Sequence, residues 1–166
     1  MKTETLNKVT ETTNELLMLI SSLSEEQLNK VPFEGSWTAG QVTDHISQSF
    51  GGMIQIVNDK AIPTERDPGE KIEPIKSLFL DFTTKMTSPD FVLPSQPPHK
   101  KEVLISDLNT MKDQIAEAIK TLDLTETHAD FEIPGFGKFT RFEWINFLIY
   151  HMQRHTHQIK NIQQLV

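Results

Sequence analysis

The sequence predicts an all-α protein built as a four-helix bundle with a long crossover between helices two and three. Three observations carry that prediction. Four long segments repeat their apolar residues at intervals of three and four, the spacing of one helix face. Three Ser/Thr-x-x-Glu/Gln pairs stand where helical patterns begin, as reciprocal caps do. Seven of the nine prolines fall between Asp59 and Lys100, where missing amide donors and ring clashes keep a long helix from forming.

The first helix is predicted from about Thr3 to Ser22, with Leu6, Val9, Leu16, Ile20 and Leu23 on its apolar face. Ser24 and Gln27 then open a short helical turn that ends before Pro32, in the loop VPFEGSW. Trp37 in that loop is expected to plug one end of the bundle, since large aromatics dominate burial. Thr38 and Gln41 cap the second helix, which extends to about Asn58 on Val42, Ile46, Phe50, Met53 and Val57. Gly51 and Gly52 lie inside it at a cost of about 1 kcal/mol each relative to alanine, so a close helix contact or a kink is expected there.

The crossover from Asp59 to Lys100 reads mostly as loop, with one helical island from Pro74 to Met86 that places Ile75, Leu78, Phe79 and Phe82 on one face. So many large apolar residues argue for an ordered connection rather than a solvated linker. Its length lets the third helix run in the same direction as the second. That third helix spans about Lys101 to Leu122, with Leu104, Leu108, Met111, Ile115, Ala118 and Leu122 as a packing seam. The segment HADFEIPGFGKFT is a turn-rich approach to the last helix, which Thr140 and Glu143 cap. From there to Val166 the apolar stripe is Ile145, Leu148, Met152, Ile159 and Ile162.

At 166 residues the chain is expected to form one domain, residues 1–166. Sixteen basic residues against 23 acidic ones leave a net charge of −7, which argues against nucleic-acid binding. The N-terminal stretch has no continuous apolar core and no run approaches a membrane span, so a soluble, cytoplasmic protein without membrane association is expected. The chain has no cysteine. A metal site must therefore be built from imidazole and oxygen, and any thiol chemistry needs a thiol from outside.

Two of the six histidines, His151 and His155, stand four residues apart on the last helix, close enough for both imidazoles to reach one metal ion. His155 is in register with the apolar stripe and His151 lies at its edge, so both should face the interior. A buried imidazole needs a hydrogen-bond partner or a ligand, and either a satisfied core histidine or a metal ligand meets that need. His45, on the flank of the second helix's stripe, is the candidate third ligand, with a half-buried core histidine as the other reading. His99 and His128 sit in predicted loops and are read as solvated surface residues. His157 points to another side of its helix and is read as surface, while Gln158 can reach the rim of the histidine pair.

The segments SWTAGQVTDHI, carrying His45, and FEWINFLIYHMQRHTHQI, carrying His151 and His155, resemble the DinB-like superfamily, and the helix order agrees along the whole chain. The resemblance implies an up-down-down-up four-helix bundle in which His45, His151 and His155 bind a divalent metal, commonly zinc or nickel, in a pocket at one end. Three neutral imidazoles around such an ion leave an open coordination position, as in catalytic sites. Family members of known activity include bacillithiol- and mycothiol-dependent transferases and isomerases. The implied function is a metal-dependent enzyme acting on a small molecule, by thiol transfer with a low-molecular-weight thiol or by hydrolysis through an activated water. Asp44, Gln48 and Arg154 are candidates to meet the substrate or orient a ligand, set against the plain reading that charged helix residues face water. The alternative function is a non-catalytic, stress-related binding protein with a structural or vestigial metal site. The outer faces of such a bundle also offer a homodimer interface.

Overall fold

A computed structural model describes residues 1–166. In chain order the elements are α1 (Lys2–Ser22), α2 (Glu25–Asn29), α3 (Ala39–Asn58), the short strand β1 (Ala61–Ile62), α4 (Ile72–Leu80), a single 3-10 turn at Asp90–Val92, α5 (Lys101–Thr121), the short strand β2 (Thr127–His128) and α6 (Arg141–Gln163). The three caps close as the sequence predicts: Ser24, Thr38 and Thr140 each accept a hydrogen bond from the backbone three residues on, and Gln27, Gln41 and Glu143 reach back to the cap amides. Each cap satisfies amide donors that the start of a helix otherwise leaves unpaired.

Around the bundle the long helices follow the order α1, α5, α3, α6, so α1 and α5 each pack between two neighbours. End-to-end hydrogen bonds fix the directions. At one end Lys101, where α5 begins, donates to the Leu23 carbonyl after α1, and Gln163 at the close of α6 donates to Ser22 Oγ. At the other end Lys2 donates to the Lys120 carbonyl, and Arg141, the first residue of α6, donates to the carbonyls of Val57 and Asp59. The bundle therefore runs up, down, down, up. The buried apolar residues form one continuous cluster that includes the apolar faces predicted for all four long helices, with Leu6, Met111 and Leu122 only partly buried at its edge. No helix is long and apolar enough to cross a membrane.

The crossover is pinned by buried polar hubs that the sequence does not announce. Glu143, fully buried, completes the cap of α6, accepts both guanidinium nitrogens of Arg66 at 2.6 Å, and accepts the amide of Lys71 at 2.9 Å. These partners satisfy the oxygens of a carboxylate that burial cuts off from water. Arg141 ties the ends of α3 and α5 together through the carbonyls of Val57, Asp59 and Asp123 and the carboxylate of Glu126. β1 and β2 pair antiparallel, Ala61 opposite His128, and stitch the start of the crossover to the approach to α6.

Two expectations are corrected here. The helical island runs Ile72–Leu80 rather than Pro74–Met86. Asp81 ends it by accepting hydrogen bonds from the amide and hydroxyl of Thr83 and the hydroxyl of Thr84, a local competition with helical pairing. Phe82 is consequently exposed and stacks on His157 rather than joining the face of α4. The second correction concerns Gly51 and Gly52, where α3 continues without a break and a Cβ on either glycine would meet open space. The fully buried Val42, Ile46, Phe50 and Val57 each contribute roughly 1.5–3 kcal/mol of burial, which outweighs two glycine penalties of about 1 kcal/mol.

Candidate metal centre

The centre lies between α3 and α6. The cap at Thr38 sets the phase of α3, and burying Val42 and Ile46 turns His45 toward α6; four-residue spacing on α6 brings His151 and His155 to meet it. All three are buried, at 3%, 8% and 8% exposure respectively. Their Nε2 atoms converge: His151 Nε2 lies 3.2 Å from that of His45 and 3.1 Å from that of His155. Two ligands of a tetrahedral zinc, each about 2.0–2.1 Å from the ion, stand about 3.3 Å apart.

The outer nitrogens determine what the inner ones can do. Nδ1 of His45 lies 2.7 Å from the Val92 carbonyl, which can only accept, so Nδ1 carries the proton and Nε2 a lone pair. Nδ1 of His155 likewise donates to Gln158 Oε1 at 2.8 Å. Both lone pairs are then aimed at His151 Nε2, and a single proton there satisfies only one of them, whereas one cation satisfies all three. Nδ1 of His151 is buried without a hydrogen-bond partner; that ring is held by packing against Phe79 and Phe147.

Burial is the largest cause holding all three imidazoles neutral. It pushes His151 well below its ordinary value, aided by the nearby His155, His45 and Arg154, and it takes His155 down to about 4 against the opposing bond to Gln158. His45 is lowered too, with Val92 and Asp44 working the other way. Neutral imidazole is the metal-binding form. The cluster holds no carboxylate, so the three residues supply three ligand atoms and leave any further position to a small molecule.

The remaining candidates direct their hydrogen bonds elsewhere than to the three imidazoles. Asp44 accepts from Gln48 at 2.9 Å and from the Ser95 amide at 2.7 Å, while Arg154 donates to the carbonyls of Phe79, Asp81 and Thr84 at the end of α4. Trp37 does more than plug a bundle end, since its ring centroid stands 5.3 Å from that of His45. His157 is exposed, as expected. His99 and His128, however, are buried at 8% and 5% exposure, which corrects their reading as surface residues. His99 is clasped by Asn29, which bonds both its amide and its carbonyl, and its ring packs so near Gly40 that an added Cβ would stand 3.1 Å from His99 Cβ. His128 Nδ1 accepts from the Phe131 amide at 2.8 Å in the turn after β2. The partner of His99 lies 70 residues away, and His128 is tied to distant sequence by its pairing with Ala61 across β1 and β2. Of the residues that serve the trio, Gln158 was findable at three residues past His155; Val92 acts through its backbone and leaves no side-chain signal.

A DinB superfamily model matches residues 8–159. The chain belongs to the DinB superfamily. Among its relatives is YuaE, an uncharacterized protein of Bacillus subtilis (strain 168), 27% identical over 160 residues that cover 94% of this chain and 93% of YuaE. The bundle is also similar to that of YfiT from Bacillus subtilis, described as "a probable metal-dependent hydrolase with an unusual four-helix bundle topology". The two structures superpose with a TM-score of 0.62 at 15% identity, over 98% of this chain and 86% of YfiT, which establishes the shared fold.

Proposed function

We propose that this DinB-superfamily chain is a metal-dependent hydrolase of a small molecule, with His45, His151 and His155 as ligands of a divalent cation, zinc or nickel. The observation that carries the reading is the convergence of three neutral Nε2 atoms with no carboxylate among them. The description of YfiT as a probable metal-dependent hydrolase supports the same direction. When bound, such a cation supplies Lewis acidity that brings a water or a thiol within reach of deprotonation near neutral pH. The chain's own part is preorganisation. Val92 and Gln158 hold two imidazoles in the tautomer that presents Nε2, burial keeps them uncharged, and Trp37, Phe79 and Phe147 wall the rings from solvent. In the hydrolytic reaction water attacks the electrophilic centre of the substrate, the bond to the leaving group breaks, and the leaving group departs with a proton. Thiol transfer, with a low-molecular-weight thiol attacking an electrophile, draws on the same donor set.

Metal content by mass spectrometry on untagged protein, wild type beside His151→Ala, tests the reading. About one equivalent is expected in the wild type and essentially none in the variant, with hydrolysis of small aryl esters lost in parallel. Full occupancy in His151→Ala would remove the assignment. Turnover only when a small thiol and an electrophile are supplied together would select transfer over hydrolysis.

A further inference from the structure

The crossover reaches the histidine trio through its main chain. The Val92 carbonyl accepts from His45 Nδ1 at 2.7 Å. Three residues on, Ser95 donates its amide at 2.7 Å and its hydroxyl at 3.0 Å to the same carboxylate oxygen of Asp44, which also takes the Gln48 amide. Four residues further, Asn29 clasps the main chain of His99 at 2.6 and 2.9 Å, and the His99 ring nitrogen stands 3.1 Å from Ser95 Oγ. Asp90–His99 is therefore a strap laid across α2 and α3, and its apolar residues Phe91 and Leu93 are exposed. Polar ties hold it down, with Val92 half-buried and His99 buried along it.

Asp44 and His45 are adjacent on α3, about 100° apart around the helix. One turn of helix thus presents a metal ligand on one face and the anchor of the strap on the next. Asp44 makes no hydrogen bond to the trio, and its bonds to Ser95 fix the segment whose carbonyl orients His45.

We propose that seating of this strap and loading of the three-histidine centre are one coupled equilibrium, in which Asp44 is the positioning residue; the proposal rests on reading the trio as a metal centre. A cation on Nε2 of His45 draws electron density from the ring, which makes Nδ1–H a stronger donor to the Val92 carbonyl. A seated Val92 in turn fixes the tautomer and ring orientation that present Nε2. The two effects are thermodynamically reciprocal.

The experiment uses the full chain, stripped by chelator and titrated with zinc against a chromophoric competitor, as wild type, Asp44→Ala and Asp44→Asn. Hydrogen exchange at the Ser95 amide is followed with and without zinc, and circular dichroism confirms that each variant is folded. Asp44→Ala is expected to weaken zinc binding about tenfold or more. Asp44→Asn restores most of it, because a carboxamide oxygen still accepts from Ser95. Zinc slows exchange of the Ser95 amide several-fold in the wild type and leaves it fast in Asp44→Ala. Equal zinc affinity in wild type and Asp44→Ala, or Ser95 exchange indifferent to zinc in the wild type, overturns the strap and leaves the metal centre standing. A wild-type chain that takes up no zinc removes both. Should Asp44→Ala not fold, the exchange response of the wild type decides alone.

Discussion

His155 has two ring nitrogens, and Gln158 decides which of them faces the centre. With Oε1 at 2.8 Å accepting from Nδ1, the lone pair on Nε2 is committed to the space shared with His45 and His151. Gln158→Leu keeps most of the side-chain volume but removes the acceptor, so the ring is free to change tautomer and an N–H is left without its partner. The expected result is a loss of zinc affinity of about 10–100-fold, read by competition titration. Gln158→Glu should hold or raise affinity, because a carboxylate accepts the same proton more strongly. An unchanged affinity in Gln158→Leu would show that packing against the rings of His45 and His151 alone orients the ring. The pair on α6 was legible in the sequence, because i,i+4 spacing and the apolar stripe are local properties of a helix, whereas His45 on the flank of another helix joined it through the family resemblance. The partners of the trio were less so: Gln158 is close in sequence to its histidine, but Val92 lies 47 residues from His45.

The same contrast holds for whole elements. The four long helices follow from periodicity, and the caps of α2, α3 and α6 from pairs three residues apart, signals that need no knowledge of the fold. The crossover does not, because its order comes from Glu143, Asp44, Arg154 and Asn29, each reaching residues at least 50 positions away. His99 and His128 were misread for this reason, since their burial is created by contacts outside their own segments. Gly51 and Gly52 illustrate the converse, a local cost without a tertiary reason. Neither has a neighbour that a Cβ would meet, and neither adopts a positive φ. Replacing both with alanine should therefore stabilise α3 by about 0.5–1 kcal/mol per site. The corresponding rise in the thermal midpoint is about 2–4 °C per kcal/mol for a domain of this size. Scanning calorimetry on metal-free Gly51→Ala/Gly52→Ala checks this. A lowered midpoint would mean that α3 bends or is covered there in solution.

For the molecule as a whole, His45, His151 and His155 make stability depend on acidity. Burial holds His45 below its ordinary value, His151 well below it, and His155 at about 4, against about 6.5 in an unfolded chain. Above that value both states are neutral and the trio adds nothing to the slope. As pH falls through it, the unfolded chain takes up protons that the folded chain refuses, so folding loses stability until the folded groups also titrate. For His155 alone the loss between about 6.5 and about 4 is on the order of 3 kcal/mol, a large part of a typical domain's stability. The carboxylates act in a separate window. Asp81, held at about 2 by hydrogen bonds from Thr83 and Thr84, and Asp123, lowered chiefly by bonds from Thr125, give up their stabilisation only as pH falls below about 4. Urea unfolding of the chelator-treated protein at several values between pH 7.5 and 4.5 should therefore show a steep loss below about 6.5. His155→Gln, which keeps a polar side chain but cannot titrate, should flatten that slope. Saturating zinc raises stability at neutral pH by mass action, and this gain should shrink across the same window because protons and metal compete for the same nitrogens. A metal-free profile that is level from 6.5 to 4.5, or one that His155→Gln leaves equally steep, would show that the imidazoles are not held neutral by the fold.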